Sequence, residues 1–106
     1  MQSVESGTQT ATLSTEHTIG TSTGIGIYVL VVDTNEMASG DTLTIRMKTK
    51  VLSGGTMRLA DEVVLTGAQA VPNKYSVPIP SDVEIFCSIE QTTGTVRAYP
   101  WKLLRA

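Results

Sequence analysis

The sequence contains one cysteine, one histidine and few aromatic residues, and each scarcity excludes a class of protein. Because Cys87 is the only cysteine among 106 residues, no internal disulfide can form, and folding in the cytoplasm is the simpler interpretation. His17 is the only histidine, and no cluster of further histidine, cysteine or carboxylate ligands accompanies it. Aromatic residues make up only 5 % of the chain, so the core has to be mainly aliphatic.

Charge and hydropathy exclude two kinds of partner. The formal net charge of -2 argues against a broad basic surface for nucleic acid. No apolar run reaches the roughly 18 residues that a membrane-spanning helix needs. Residues 1–13 lack a basic stretch followed by an apolar one, so we expect no signal peptide there. The sequence therefore predicts neither nucleic acid nor membrane as a partner.

Residues 42–65 have the pattern of a β-hairpin. Apolar side chains occupy every second position from Leu43 to Val51 except Thr49, and polar or basic ones alternate with them. This period of two is typical of a strand with one buried face. Ser53, Gly54 and Gly55 then provide a turn, after which a second apolar set returns from Met57 to Leu65.

Similar segments fill the rest of the chain and predict an all-β fold. The nearly continuous apolar run of residues 25–32 indicates a central strand covered on both faces. Residues 74–80 contain Pro78 and Pro80 and are predicted to form an edge strand, because proline donates no hydrogen bond to a ladder. With alternating segments near residues 83–89 and 96–104, the sequence predicts about seven or eight strands in a single-domain, jelly-roll-like β-sandwich.

The two ends of the chain are the candidate contact surfaces. Residues 1–15 are polar and threonine-rich and predict an N-terminal arm or a swapped strand, whereas residues 16–106 form the β-sandwich domain. The C-terminal segment, residues 99–104, is rich in large apolar side chains and is either a core strand or an oligomer contact. The predicted interface residues are Thr8, Thr10, Thr12, Tyr99, Trp101 and Leu103.

No motif predicts catalysis, and we predict no catalytic residue, cofactor or metal ligand. Cys87 lies within an alternating apolar set and is predicted to be a buried thiol. Asp33, Asn35, Ser39 and Asp41 loosely resemble a calcium loop, but the glycine and glutamate that such a loop needs are missing. One helical turn at residues 34–39 is the better explanation. The chain is therefore predicted not to be an enzyme.

A basic row on one strand is the remaining charged feature. Arg46, Lys48 and Lys50 share one face, and Glu84 and Glu90 share the outward face of another strand. Asp61 and Glu62 lie near this row in the sequence of the hairpin. We predict a solvated face of cross-strand ion pairs, and the alternative is an acidic external partner.

Three stretches of the sequence are distinctive: GDTLTIRMKTKVLSGGTMRLA at 40–60, PNKYSVPIPSDVEI at 72–85 and QTTGTVRAYPWKLLR at 91–105. These stretches resemble small virion structural proteins of tailed bacteriophages. The resemblance implies a capsid decoration or cement protein, which is often a small β-sandwich that assembles as a homotrimer on the shell. It implies the major capsid protein as partner and location on the virion capsid surface after synthesis in the host cytoplasm. It assigns no residue a role. The alternative is a binding module of a head or tail fibre, with carbohydrate as one possible ligand.

Overall fold

The computed structural model describes all 106 residues, which form nine β-strands joined by turns, without a helix. Consequently no helix is long and apolar enough to cross a membrane. The predicted helical turn at residues 34–39 is wrong, since two successive turns occupy this segment. The strands are β1 (Gln2–Thr10), β2 (His17–Ser22), β3 (Gly26–Asp33), β4 (Thr42–Thr49), β5 (Arg58–Thr66), β6 (Asn73–Tyr75), β7 (Ile79–Ser81), β8 (Ile85–Thr93) and β9 (Ala98–Arg105).

The strands form two antiparallel sheets that enclose one core. The five-stranded sheet has the order β1-β9-β3-β6, and β7 pairs with β3 beside β6. The four-stranded sheet has the order β2-β8-β4-β5. Thus β1 and the β6–β7 side are the edges of the first sheet, and β2 and β5 are the edges of the second.

The pairing is that of a jelly roll. Strands pair in the sequence β1 with β9, β2 with β8, β3 with β6 and β7, and β4 with β5. The chain is therefore one long antiparallel hairpin whose tip is the β4–β5 turn, and successive strand pairs alternate between the two sheets. The prediction of a jelly-roll-like β-sandwich is confirmed. Nine strands occur instead of seven or eight because the predicted strand at residues 74–80 is divided into β6 and β7.

Alternation in the central strands builds the core. In β4, Leu43, Ile45 and Met47 are buried on the inner face, as the period of two predicts. In β3 the inner side chains belong to the core, and Val29 and Val31 on the opposite face are also buried. The prediction of a central strand covered on both faces is therefore confirmed. The core consists of Ala11, Ile19, Tyr28, Leu30, Val32, Met37, Leu43, Ile45, Met47, Ile79, Ile85, Cys87, Ile89, Tyr99 and Leu103.

The N-terminal segment is part of the sandwich in the folded chain. β1 pairs with β9 from Gln2 opposite Arg105 to Thr10 opposite Ala98, with one irregularity at Val4. Residues 2–10 are therefore an edge strand of the five-stranded sheet and not a projecting arm. The opposite edge of β1 has no strand beside it.

Candidate functional site

An apolar cleft opens between the two sheets at the side where β5 faces the β6–β7 segment, and we name it the edge cleft. Its volume is about 280 Å³. Core side chains form the floor, which consists of Leu30, Val32, Ile45 and Met47. The opening exists because β5 has nine residues whereas β6 has three, so the first sheet leaves part of the inner face of β5 uncovered.

The walls of the edge cleft are apolar side chains that remain in contact with solvent. Val63 and Leu65 stand opposite Ile45 and Leu43 in the sheet register and therefore point inward from β5. Tyr75 and Val77 line the other wall and are exposed. Concave apolar sites of this kind are typical of binding surfaces.

One acid and one base face the edge cleft from opposite walls. Asp61 lies opposite Met47 on the inner side of β5, and Lys74 lies opposite Val32 on the inner side of β6. Neither is among the residues that form ion pairs or side-chain hydrogen bonds. An inward-facing charge on an edge strand also discourages indiscriminate pairing with other strands. The cleft can therefore hold an apolar group and offer it two polar contacts.

The predicted charge face lies on the outer side of the four-stranded sheet. The Arg46 guanidinium contacts Glu62 at 2.8 Å and Glu90 at 2.9 Å, and the Lys50 ammonium contacts Glu84 at 3.0 Å. These contacts confirm the prediction of cross-strand ion pairs, each of which contributes about 0.2–1 kcal/mol.

Glu16, which precedes β2, is a member of this charge face that the sequence patterns did not indicate. It lies 3.1 Å from the Lys48 ammonium and 3.2 Å from Arg46, and it accepts a hydrogen bond of 2.6 Å from the Ser88 hydroxyl. The Ser88 bond and the contact with Lys48 outweigh the opposing effect of burial and keep the pKa of Glu16 below its usual value.

The threonines predicted as interface residues lie on the surface. Thr8 and Thr10 stand opposite Pro100 and Ala98 on the outer side of the five-stranded sheet, and both are exposed. Thr12 follows β1, is exposed, and donates its backbone N–H to the His17 ring at 3.2 Å. Their role as contacts stays a prediction.

The three C-terminal residues that were also predicted as interface residues face the core of the sandwich. Tyr99 and Leu103 are fully buried core residues, and Trp101 packs against the core from a partly buried position. Gly7 and Gly20 make room for the indole, since a Cβ at Gly20 would lie 3.1 Å from it. The sequence left the C-terminal segment as either a core strand or an oligomer contact, and the structure shows a core strand. Tyr99 and Leu103 offer no surface to a partner.

Asp41 is a buried carboxylate that joins the β3–β4 connection to the β8–β9 connection at one end of the sandwich. It is 1 % exposed and accepts hydrogen bonds from the Ala38 N–H at 2.9 Å, the Thr95 N–H at 3.0 Å and the Arg97 guanidinium at 2.9 Å. Burial raises its pKa, but these three donors together outweigh burial and hold the pKa below its ordinary value. All three donors belong to the protein, so the interpretation as a calcium ligand has no support here.

Gln91 is the second buried polar centre of this end. Its amide N–H groups donate to the Thr95 carbonyl at 2.6 Å and the Thr93 carbonyl at 3.1 Å, and its carbonyl accepts from the Tyr99 hydroxyl at 2.9 Å. Burial, followed by the charge of Asp41, raises the pKa of Tyr99 to about 12, so the hydroxyl remains a donor at neutral pH. Gln91 thus anchors the β8–β9 turn to the core.

The lone histidine and the lone cysteine form no hydrogen bond with each other. The ring of His17 contacts the Gln9 amide at 3.3 Å and the Thr12 N–H at 3.2 Å, and it closes the turn between β1 and β2. Cys87 is fully buried in the core, as predicted. Burial, with a smaller effect of Glu5, raises the pKa of the thiol to about 12.

We expect Cys87 to be unreactive toward thiol reagents in the folded protein. Absorbance measurement with Ellman's reagent at pH 8 should show reaction slowed on the order of 100-fold or more relative to the chain in guanidinium chloride, because only opened molecules expose the thiolate. Prompt reaction of one thiol per native chain would contradict the buried position.

No group of three or more histidine, cysteine, aspartate or glutamate side chains is placed to hold a metal ion. No protein-family model, curated protein or solved structure matches the chain. The edge cleft and the open edge of β1 are therefore the features from which a function can be argued.

Proposed function

We propose that this chain is a non-enzymatic structural protein of a tailed-phage virion, which binds the capsid shell as a homotrimer and stabilises it. The resemblance of residues 40–60, 72–85 and 91–105 to virion structural proteins supports this proposal. The jelly roll is compatible with it, because the fold recurs in viral capsid proteins, although a fold alone does not determine a function.

The observation that carries the proposal is the open edge of β1. This nine-residue strand has β9 on one side only, and Thr8 and Thr10 beside its free edge are exposed. A strand of a shell subunit can add to such an edge through main-chain hydrogen bonds. Strand addition to β1 replaces the projecting arm that the sequence suggested.

Stabilisation of the shell would follow from mass action. A protein that binds only the assembled lattice of the major capsid protein shifts the equilibrium toward assembly. Three copies held together multiply weak individual contacts into a tighter overall association. The chain would be made in the host cytoplasm and would end on the capsid surface.

The copy number per virion tests the proposal. Mass spectrometry of purified virions of the encoding phage should find the chain at a copy number comparable to that of the major capsid protein. A few copies per particle would favour a fibre, and complete absence would refute a virion role.

Lysine substitutions on β1 test the proposed contact. Replacing Thr8 and Thr10 together with lysine should weaken co-sedimentation with empty capsids by at least about tenfold, because lysine on an edge strand opposes strand addition. Thr23→Lys with Thr92→Lys is the matched control, since both threonines are exposed outside β1. Equal binding by both double variants would remove β1 from the proposal.

A binding module of a fibre is the second candidate, and one surface favours it. On the outer face of the five-stranded sheet, a depression of about 260 Å³ holds Tyr75, which is 66 % exposed, beside Asp33, Asn73 and Lys102. An exposed ring beside hydrogen-bonding groups suits a sugar. Specific hits on a glycan array that Tyr75→Ala abolishes would support this function over shell binding.

A further inference from the structure

The hairpin tip, residues 50–57 between β4 and β5, is an apolar protrusion. Val51 is 84 % exposed and Leu52 is 72 % exposed, and no other two consecutive large hydrophobic residues are both this exposed. The Gly55 N–H donates to the Leu52 carbonyl at 2.9 Å, so the tip is a closed turn with a defined shape. Two adjacent aliphatic side chains held in solvent are typical of a contact surface.

The edge cleft is an apolar recess of suitable size on the same molecule. Its volume of about 280 Å³ exceeds the roughly 150 Å³ that accommodates a benzene-sized molecule, so a valine and a leucine side chain can enter together. Val63 and Val77 stand at its rim, where they would be covered by whatever enters.

The charges beside the two features are complementary. Arg58 directly follows the hairpin tip, is exposed and forms no ion pair, and Asp61 in the edge cleft is also without one. A tip that enters the cleft of another copy would bring its Arg58 toward an acidic wall. Lys74 on the opposite wall can donate a hydrogen bond to a carbonyl of the tip.

We propose that the hairpin tip of one copy inserts Val51 and Leu52 into the edge cleft of a second copy. Because the protrusion and the recess are different surfaces of one chain, the contact is heterologous and closes into a ring if the rotation permits. The inference goes beyond shell binding, because it concerns a contact between copies of the chain alone. Failure of this contact would not show whether the chain binds the shell, which the copy number per virion tests separately.

Two single substitutions test the two halves of this contact. Light scattering and sedimentation equilibrium of the wild-type chain, up to about 1 mM, should show self-association. Leu52→Asp in the tip and Val63→Asp in the cleft should each weaken it by at least about tenfold, because each buries a charge in an apolar contact. Val71→Asp is the matched control, since Val71 is exposed in the β5–β6 turn and lines neither feature. It should associate like the wild type.

Mixing the two variants makes the test specific for tip-in-cleft contact. Leu52→Asp retains an intact cleft and Val63→Asp retains an intact tip, so a mixture should form a 1:1 heterodimer although each variant alone associates only weakly. Thermal unfolding of each variant verifies that both are folded. A monomeric wild type, undiminished association of either variant, or a mixture that stays monomeric would each overturn the proposal.

Discussion

Replacing Asp41 with alanine is expected to lower the free energy of unfolding by about 3 kcal/mol, because it removes the acceptor of three hydrogen bonds, one of which is also a buried ion pair with Arg97. The Arg97 side chain is 26 % exposed, so its guanidinium would remain partly solvated. The expected loss is therefore near the smallest values found when one partner of a buried ion pair is removed. The Ala38 and Thr95 N–H groups would lose their acceptor. Urea unfolding followed by circular dichroism at pH 7 measures this loss.

The same substitution should make the free energy of unfolding less dependent on pH in the acid range. The pKa of Asp41 is lower in the folded chain than the value of about 4 in the unfolded chain, so unfolding takes up a proton in this range. Its contribution is fully present above about pH 4 and is lost as the pH falls through the folded pKa. The wild type should therefore lose stability below about pH 4 more steeply than Asp41→Ala, although Glu16 contributes a slope in the same direction to both.

Asp33→Ala is the matched control for Asp41. Asp33 also accepts a backbone hydrogen bond, from the Asn35 N–H at 2.9 Å, but it is only half-buried and lacks an ion pair. Its loss should cost less than about 1 kcal/mol. Asp41→Asn should resemble Asp41→Ala, because an amide nitrogen placed at one carboxylate position would face N–H donors. Similar losses at Asp33 and Asp41, or none at Asp41, would contradict the buried junction.

The sequence indicated those features that depend on neighbouring residues along one strand. The alternation of Leu43, Ile45 and Met47 identified the inner face of β4, because only one of the two faces of this strand is apolar and that face has to be buried. It also placed Arg46 and Lys50 on a common outer face. The same reasoning placed Tyr99 and Leu103 on one face of β9 but could not tell whether that face met the core or another chain.

The features that were missed depend on which strands become neighbours. Asp41 was compared with a calcium loop from its local neighbours, whereas its donors Thr95 and Arg97 lie 54 and 56 residues further along the chain. Glu16 lies outside the strands, and only the placement of β2 beside β8 brings it to Ser88. The edge cleft depends on the difference in length between β5 and β6, which belong to opposite sheets.

The substitution Gln91→Glu should lower the free energy of unfolding by about 4 kcal/mol at neutral pH, although the two side chains have almost the same shape. It replaces an amide nitrogen that donates to the Thr93 and Thr95 carbonyls with a carboxylate oxygen that those carbonyls repel. Gln91 is fully buried, so water cannot solvate the new charge. A loss of this size should lower the melting temperature by at least about 15 °C in a domain of 106 residues. Calorimetry at pH 7 measures it.

Two comparisons separate charge burial from loss of shape at Gln91. Gln69→Glu makes the same change in a side chain that also donates to two carbonyls, of Thr66 and Gly67, both at 3.1 Å, but that is only half-buried. It should cost less than about 1 kcal/mol, because water can reach the carboxylate. Burial raises the pKa of a glutamate at position 91, so its deficit relative to wild type should grow as the pH rises from about 4 toward that raised pKa. A deficit that is independent of pH, or equal for Gln69→Glu, would show that the buried charge is not its cause.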